Sequence, residues 1–457
     1  MHAVSIRFNL FTQMINRVTG LRGVAESTFR DALLSADPEE AVHRHFELRS
    51  NVLRVGDIDY FLSRFQRIFV LGAGKACLRM ARGVERILGG RISGGLIITG
   101  RDRKNALRNI LVREAGHPYP DPDGVRATEE LIELVGPLSD QDLVIFCLSG
   151  GSSAMLVAPS EDLSINDLQR CTKLFLSSGM TIDEINVVRK HLSRVKGGWL
   201  AKHIFPATTI TLAVSDVIGD KIEIIGSGPT APDPSTFEDA IEILHRKKVW
   251  DKMPEAARQI LLEGRDKKRP ETPKAGNKIF KRVHHQIVSS NQLALQAAEA
   301  RARRLGMSAM VLSSSVSGES REIARFYAAL AREIRNHHRP VAPPACLIAG
   351  GETTVTVTGG GKGGRCQELA LAVAPHLADI PGVVFMAAGT DGADGTTDAA
   401  GAIVDSSTLE KSVKRDLDIF RHLEKNDSYN FFKAMNDLVI TGPTGTNVMD
   451  VHLLLVG

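Results

Sequence analysis

The run "FVLGAGKACLRMA", residues 69–81, carries an apolar strand signal into Gly72 and Gly74, then Lys75, then an apolar helix-like stretch. A strand that feeds a glycine turn opening a helix gathers unpaired N–H groups and the positive end of the helix dipole, which attracts an anion. Lys75 adds a full positive charge beside it. G-A-G-K is too short for a Walker loop and is not a complete dinucleotide fingerprint, so a tight turn with a surface lysine stands beside the anion reading. "CLSGGSSAML", 147–156, repeats the pattern: Gly150 and Gly151 let the backbone approach a phosphate, and Ser149, Ser152 and Ser153 add hydroxyl donors. The G-x-S-x-G hydrolase elbow is not matched, because no glycine stands two places after Ser152.

Carboxylates follow other strand signals. "AVSDVIGD", 213–220, sets Asp216 and Asp220 just after a buried strand, where one or two carboxylates with phosphate oxygens suit Mg²⁺; the alternative for each is a helix cap. "AAGTDGADGTTDAAG", 387–401, supplies Asp391, Asp394 and Asp398. It is not a calcium loop, since Ala402 stands where the twelfth-position acid belongs, and Asp391 reads as a metal or substrate-hydroxyl contact or as an Asx turn. "GGETTVTVTGGGKGGRCQELA", 350–370, gathers Glu352, Lys362 and Arg365, whose planar fork fits a carboxylate or phosphate. In "HPYPDPDG", 117–124, His117 and Asp121 edge a proline loop and read as structural. Asn291 follows another strand signal and, with Thr446 and Asn447 of "TGPTGTNVMDVHLLLV", is a candidate nucleotide contact; Thr444 could also face a ligand, and Asp450 and His452 read as local hydrogen-bonding groups. Anion loops, carboxylates, one lysine and one arginine together indicate phosphoryl transfer more than hydride transfer, which needs a dinucleotide fingerprint with an acid about 20 residues on.

The elements that must position these residues are short apolar β-rich runs, each followed by a Gly/Ser/Asp loop and a helix-like stretch. That alternation gives an α/β fold with a mostly parallel sheet covered on both faces, whose ligands bind outside the carboxyl ends of the strands. The hydrophobic fraction is 43% and the charged fraction 24%, the composition of an ordinary globular protein. Residues 251–282 hold ten Lys or Arg against five Asp or Glu, so the net charge of +4 is concentrated there. With their prolines they read as a solvated linker, not a nucleic-acid patch. The expected division is an N-terminal domain over 1–240, a charged linker or helical connection over 241–282, and a C-terminal domain with a mixed sheet over 283–457. Five cysteines form no C-x-x-C pair and read as reduced thiols of a cytoplasmic protein. No apolar run reaches the roughly 18 residues of a membrane span, and the basic first 23 residues allow a targeting peptide or a plain extension.

From about residue 30 the chain resembles the class II glycerate kinases, the glycerate 2-kinase family with a C-terminal MOFRL domain. The motifs that carry the resemblance are "GAGKA", "HPYPD", "LSGGSSAML", "INVVRKHLSRVKGG", "SDVIGD", "SGPTAPD", "GGETTVTV", "GKGGRCQELAL", "GTDGADGTTDAAGA", "NDSYNFF" and "TGPTGTNVMDVHLLL". The resemblance implies ATP- and Mg²⁺-dependent phosphorylation of D-glycerate to 2-phosphoglycerate, a Rossmann-like N-terminal domain, a smaller α/β C-terminal domain, and an active site in the cleft between them. It implies Lys75 and Arg365 as the basic residues of that site, Glu352 and Asp391 as its acids, and Asp216 as metal ligand or base, with Asp220 and Asp391 as further metal candidates. Cys366 departs from the family's usual asparagine. The expected partners are small molecules, with no nucleic acid or membrane, in a monomer or homodimer. Two rivals are an NAD(P)H-dependent hydroxypyruvate reductase, a label such proteins have carried, and a non-catalytic sugar-acid or nucleotide sensor.

Overall fold

Continuous apolar runs become strands of a parallel sheet, as helices packed on both faces require. The computed structural model describes residues 20–101 and 107–457, so most of the segment read as a targeting peptide lies outside the described residues. The chain divides into two units, Pro38–Ser289, and the described residues up to Asp37 together with Ser290–Gly457.

The first unit opens with a small antiparallel meander, β1 (Phe46–Arg49), β2 (Val52–Val55) and β3 (Ile58–Phe61). Six parallel strands follow: β4 (Arg67–Ala73), β5 (Gly94–Gly100), β6 (Leu111–Ala115), β7 (Asp142–Ser149), β8 (Thr208–Val214) and β9 (Val283–Ser289). Their order is β6-β5-β4-β7-β8-β9. The chain thus builds outward from β4 in one direction and then from β7 in the other, which leaves a switch point between these two neighbours. Leu71, Ala73, Ile98, Phe146 and Leu148 pack with Met155, Leu200 and Ile225 into one core.

The segment 241–282 is not a solvated linker. Helices Phe237–Arg246 and Glu255–Arg265 turn Ile241, Leu244, Ile260 and Leu261 inward against Phe175, Ile185 and Val188, and leave most of their charges outside. Amphipathic spacing outweighs the charge count, and the parallel sheet closes only when β9 is added, so the division falls at Ser289.

The second unit holds β10 (Ser308–Glu319), β11 (Ala345–Thr354), β12 (Val383–Gly389), β13 (Gly401–Asp405), β14 (Leu438–Val439) and β15 (Asp450–Val456), in the order β10-β11-β15-β12-β13-β14. Only β10 and β11 pair in parallel, so the expected mixed sheet is present. Helix Gly20–Ser35 packs on helix Asn291–Arg304, where Arg301 donates to Ser27 Oγ at 3.0 and 2.9 Å. The chain's early helix therefore belongs to the unit built from its last third.

The switch point imposes a steric demand that distinguishes two glycines. A Cβ on Gly74, at φ 125°, would lie 2.3 Å from Ser149 Oγ and 2.4 Å from Ser149 O, whereas one on Gly179, at φ 68°, would meet nothing within 4 Å. Gly74→Ala is expected to cost about 3 kcal/mol from overpacking added to strain. Gly179→Ala should cost about 1 kcal/mol from left-handed strain alone. Urea denaturation followed by circular dichroism checks the ranking, and equal shifts in midpoint would contradict it.

Candidate active site

At the switch point the two glycine loops are tied to each other. Lys75 N donates to Gly150 O at 2.9 Å, and Ala76 N donates to Ser149 Oγ at 3.0 Å. Gly72, inside β4, lies against Cys147, and Gly74, just past its end, lies against Ser149, while Gly151 takes φ 85° as the chain turns into the short helix Ser152–Met155. The Lys75 side chain is exposed and runs over this turn: a Cβ on Gly151 would lie 3.2 Å from Lys75 Cγ and 3.2 Å from His117 Cδ2. Asp216, two residues beyond β8, reaches the same turn, its Oδ2 standing 2.0 Å from where a Cβ on Gly150 would be. Ser153 Oγ bonds Ser227 Oγ at 2.8 Å, while Ser152 Oγ is buried without a protein partner.

Of the predicted residues, Lys75, Gly74, Ser149–Ser153 and Asp216 thus meet at one turn, while Gly72 lies one step back in β4 against Cys147. Asp220 does not join them: it occupies a left-handed turn position at φ 53°, with its N–H on Val217 O. His117 is drawn in from the proline loop, and burial, with the charges of Lys75 and Arg189, pushes its imidazole down to about 4. Asp121 caps helix Pro122–Val135 by accepting from Gly124 N at 2.9 Å. Arg189 and the buried Lys196 went unread in the sequence beyond their place in a quoted motif. The available signal was a run of three basic residues, Arg189, Lys190 and His191, ending a helix whose Ile185 and Val188 are core.

In the second unit the register sets Gly351 of β11 and Gly389 of β12 on either side of Asp450 of β15. Arg365, first residue of helix Arg365–Leu377, donates Nε and Nη2 to Asp450 at 2.5 and 2.9 Å, and its Nη1 lies 2.9 Å from Glu352 Oε1. The fork expected to hold an external anion is thus already filled by Asp450, which was read as a local hydrogen-bonding group. Asp391 stands beside it: a Cβ on Gly389 would lie 3.2 Å from Asp391 Oδ1 and 3.4 Å from Asp450 Oδ1. Burial, Asp450 and Asp391 hold the Glu352 carboxyl above its ordinary range against the pull of Arg365.

The remaining candidates brace this edge. Asp394 accepts from Cys366 N and Gln367 N at 3.2 and 2.8 Å, and burial pushes it up to about 7, so it caps the helix. The Cys366 thiol is buried against Asp450 in the place where an asparagine is expected. Asp398 accepts from Tyr429 Oη at 2.7 Å, and Lys362 lies over the Tyr429 ring. Asn291 Nδ2 donates to the carbonyls of Val448 and Asp450 at 2.8 and 2.9 Å, Asn447 Oδ1 accepts from Met449 N at 3.0 Å, and Thr444 Oγ1 donates to Thr390 O at 2.7 Å. His452 meets the Tyr327 hydroxyl at 2.8 Å. Asn291 Oδ1 and Thr446 Oγ1 are buried without a protein partner.

Among the described residues no group of three or more His, Cys, Asp or Glu side chains is placed to hold a metal ion. Mg²⁺ bound with phosphate needs fewer protein donors, and Asp216 beside the Gly150 turn is a hard oxygen donor of the fitting kind. No described helix is long and apolar enough to cross a membrane.

Comparison with known proteins identifies the family. A family model described as "Domain of unknown function (DUF4147)" matches residues 24–262, and the MOFRL family matches residues 345–450. A D-glycerate 2-kinase of Thermotoga maritima is 41% identical over 85% of this chain and 91% of its own length. A glycerate 2-kinase of Pyrococcus horikoshii is 39% identical over 96% of this chain and 97% of its own. An Agrobacterium vitis relative, 38% identical over 95% of this chain and 94% of its own, bears the provisional name hydroxypyruvate reductase. The crystal structure of a Thermotoga maritima glycerate kinase superposes with a TM-score of 0.85 at 38% identity, over 96% of this chain and 99% of that one. With one family model spanning more than half of the residues and such relatives matching nearly end to end, the chain belongs to the glycerate 2-kinase family with a C-terminal MOFRL domain.

Proposed function

We propose that the protein transfers the γ-phosphoryl group of ATP to the 2-hydroxyl of D-glycerate, giving 2-phosphoglycerate and ADP. The observation that carries this reading is the pair of glycine loops tied together at the switch point with Lys75 above them, in a chain of this family. Phosphoryl transfer asks a protein chiefly for positioning and charge stabilisation. The N–H groups around Gly150–Ser153 and the Lys75 ammonium are assigned to phosphate oxygens. Asp216 would hold Mg²⁺, which neutralises phosphate charge when bound. Glu352 and Asp391 are assigned to the acceptor hydroxyl, whose proton passes to a carboxylate as the new O–P bond forms and the bond to ADP breaks; a carboxyl held above its ordinary range suits that task. Arg365 acts through Asp450 and Glu352 by fixing their places.

The reductase reading has one feature in its favour, a sheet order shared with dinucleotide-binding folds. Against it, G-A-G-K lacks the third glycine of the fingerprint. NADH oxidation with hydroxypyruvate at a rate rivalling ADP formation with glycerate would favour that reading. An assay coupled to enolase without phosphoglycerate mutase is expected to give signal directly, since only the 2-phosphate feeds enolase; signal that needs mutase would reject the product assignment.

Lys75 and Arg365 should respond differently to mutation. Lys75→Ala is expected to lower kcat by about 10²–10³ with a smaller change in KM for ATP, while shifting stability by no more than about 0.5 kcal/mol because the residue is exposed. Arg365→Lys keeps the charge and loses the bidentate fork on Asp450, whose side chain is 1% exposed; the loss should destabilise the protein by about 1–2 kcal/mol. Steady-state kinetics and denaturation of both variants check the contrast, and a Lys75→Ala enzyme that is folded and fully active would remove Lys75 from the site.

A further inference from the structure

Three basic residues end helix Ile182–His191, and two of them have carboxylate partners. Lys190 Nζ lies 3.2 Å from Asp233 Oδ1, and His191 Nε2 lies 2.9 Å from Glu271 Oε1. Arg189, half-buried, has no hydrogen-bonding or ionic partner of its own among the described residues, and burial alone lowers its guanidinium from its ordinary value. Lys196 is buried beside it, and its Nζ donates to the Leu156 carbonyl at 2.5 Å. Burial and the Arg189 charge bring Lys196 down to about 7. Both residues line a narrow cavity whose other walls include Pro118, Leu168, Leu192 and Ser153 of the phosphate loop. On the loop side, Lys75 and Arg189 bear jointly on the neutral His117 ring. A half-buried guanidinium without an acid, next to a buried second cation, is a place where an anion would be stabilised.

We infer that Arg189, backed by Lys196, forms an anion subsite behind the Ser153 turn and receives the carboxylate of the substrate acid. The inference rests on the kinase reading and deepens it by naming what recognises the acid. The fork of Arg365 is filled by Asp450, whereas that of Arg189 is open and suits two carboxylate oxygens. The cavity has a volume of about 20 Å³ and is walled by Leu168, Leu192 and Val157 as well as by the two cations, so it offers room for the carboxylate end of an acid and none for a phosphate chain.

The experiment compares D-glycerate with its uncharged amide, D-glyceramide, on wild type, Arg189→Gln and Arg189→Lys, each with saturating ATP and Mg²⁺, and titrates glycerate into each protein by calorimetry. Arg189→Gln is expected to lower kcat/KM for glycerate by about 10²-fold, chiefly through KM, while kcat/KM for the amide and KM for ATP stay within about threefold. Arg189→Lys, which keeps the charge and loses the fork, should fall between and so serves if the glutamine variant does not fold. An equal loss on acid and amide would make Arg189 a structural residue, and a rise in KM for ATP alone would assign the anion to the nucleotide; either overturns the proposal, as does no change. If wild type does not phosphorylate glycerate, the kinase reading falls by itself, and calorimetry still decides the subsite: glycerate binding that is tight in wild type and lost in Arg189→Gln supports it, and equal binding or none overturns it.

Discussion

The approach of the Gly72–Lys75 and Ser149–Ser153 loops is the constraint on which the parallel unit depends. β4 and β7 are neighbours whose chains continue toward opposite edges of the sheet, so no crossover covers the gap at their carboxyl ends. The gap is narrow because the loops bond each other there, backbone to backbone through Lys75 N to Gly150 O and backbone to the short Ser149 side chain through Ala76 N to Ser149 Oγ. A side chain at Gly74 would collide with Ser149, and Gly74 and Gly151 meet the steric and φ demands. What remains is a polar turn with a lysine above it, an aspartate beside it and a helical layer behind it. The strand order and these residue types are the support for reading the turn as an anion site.

The second unit solves a different problem. Placing β15 antiparallel between β11 and β12 buries Asp450 at the head of the sheet, and a buried carboxylate must be paired. Arg365 pairs it bidentately and extends to Glu352, so the acids along this edge are held by one guanidinium. Asp394 fixes the helix that carries Arg365 by accepting from its first N–H groups. Arg365 thus fixes Asp450 and Glu352 together, with Asp391 standing beside Asp450.

The sequence discloses the features whose cause is local. Apolar runs ending in glycine turns announce the parallel strands, and the same turns name Lys75 and the Ser149–Ser153 loop, because strand, turn and helix are contiguous. Residues 241–282 misled because charge density is visible in a list of residues while the inward face of two helices is visible only by their period. Arg365 and Asp450 are 85 positions apart, and their pairing depends on where the last strand inserts, which no short window records. The helix Gly20–Ser35 joins residues near the other end of the chain for the same reason. Arg189 stands out only once Lys190 and His191 have found Asp233 and Glu271 and it has found no acid.

The central claim is that the two tied loops at the switch point hold the phosphates of the nucleotide. Amide hydrogen exchange read by mass spectrometry, with and without ATP and Mg²⁺, addresses those N–H groups directly. The account predicts slowed exchange in peptides covering 72–76 and 149–153. Unchanged exchange in both loops under saturating nucleotide, with protection appearing elsewhere in the chain, would contradict it.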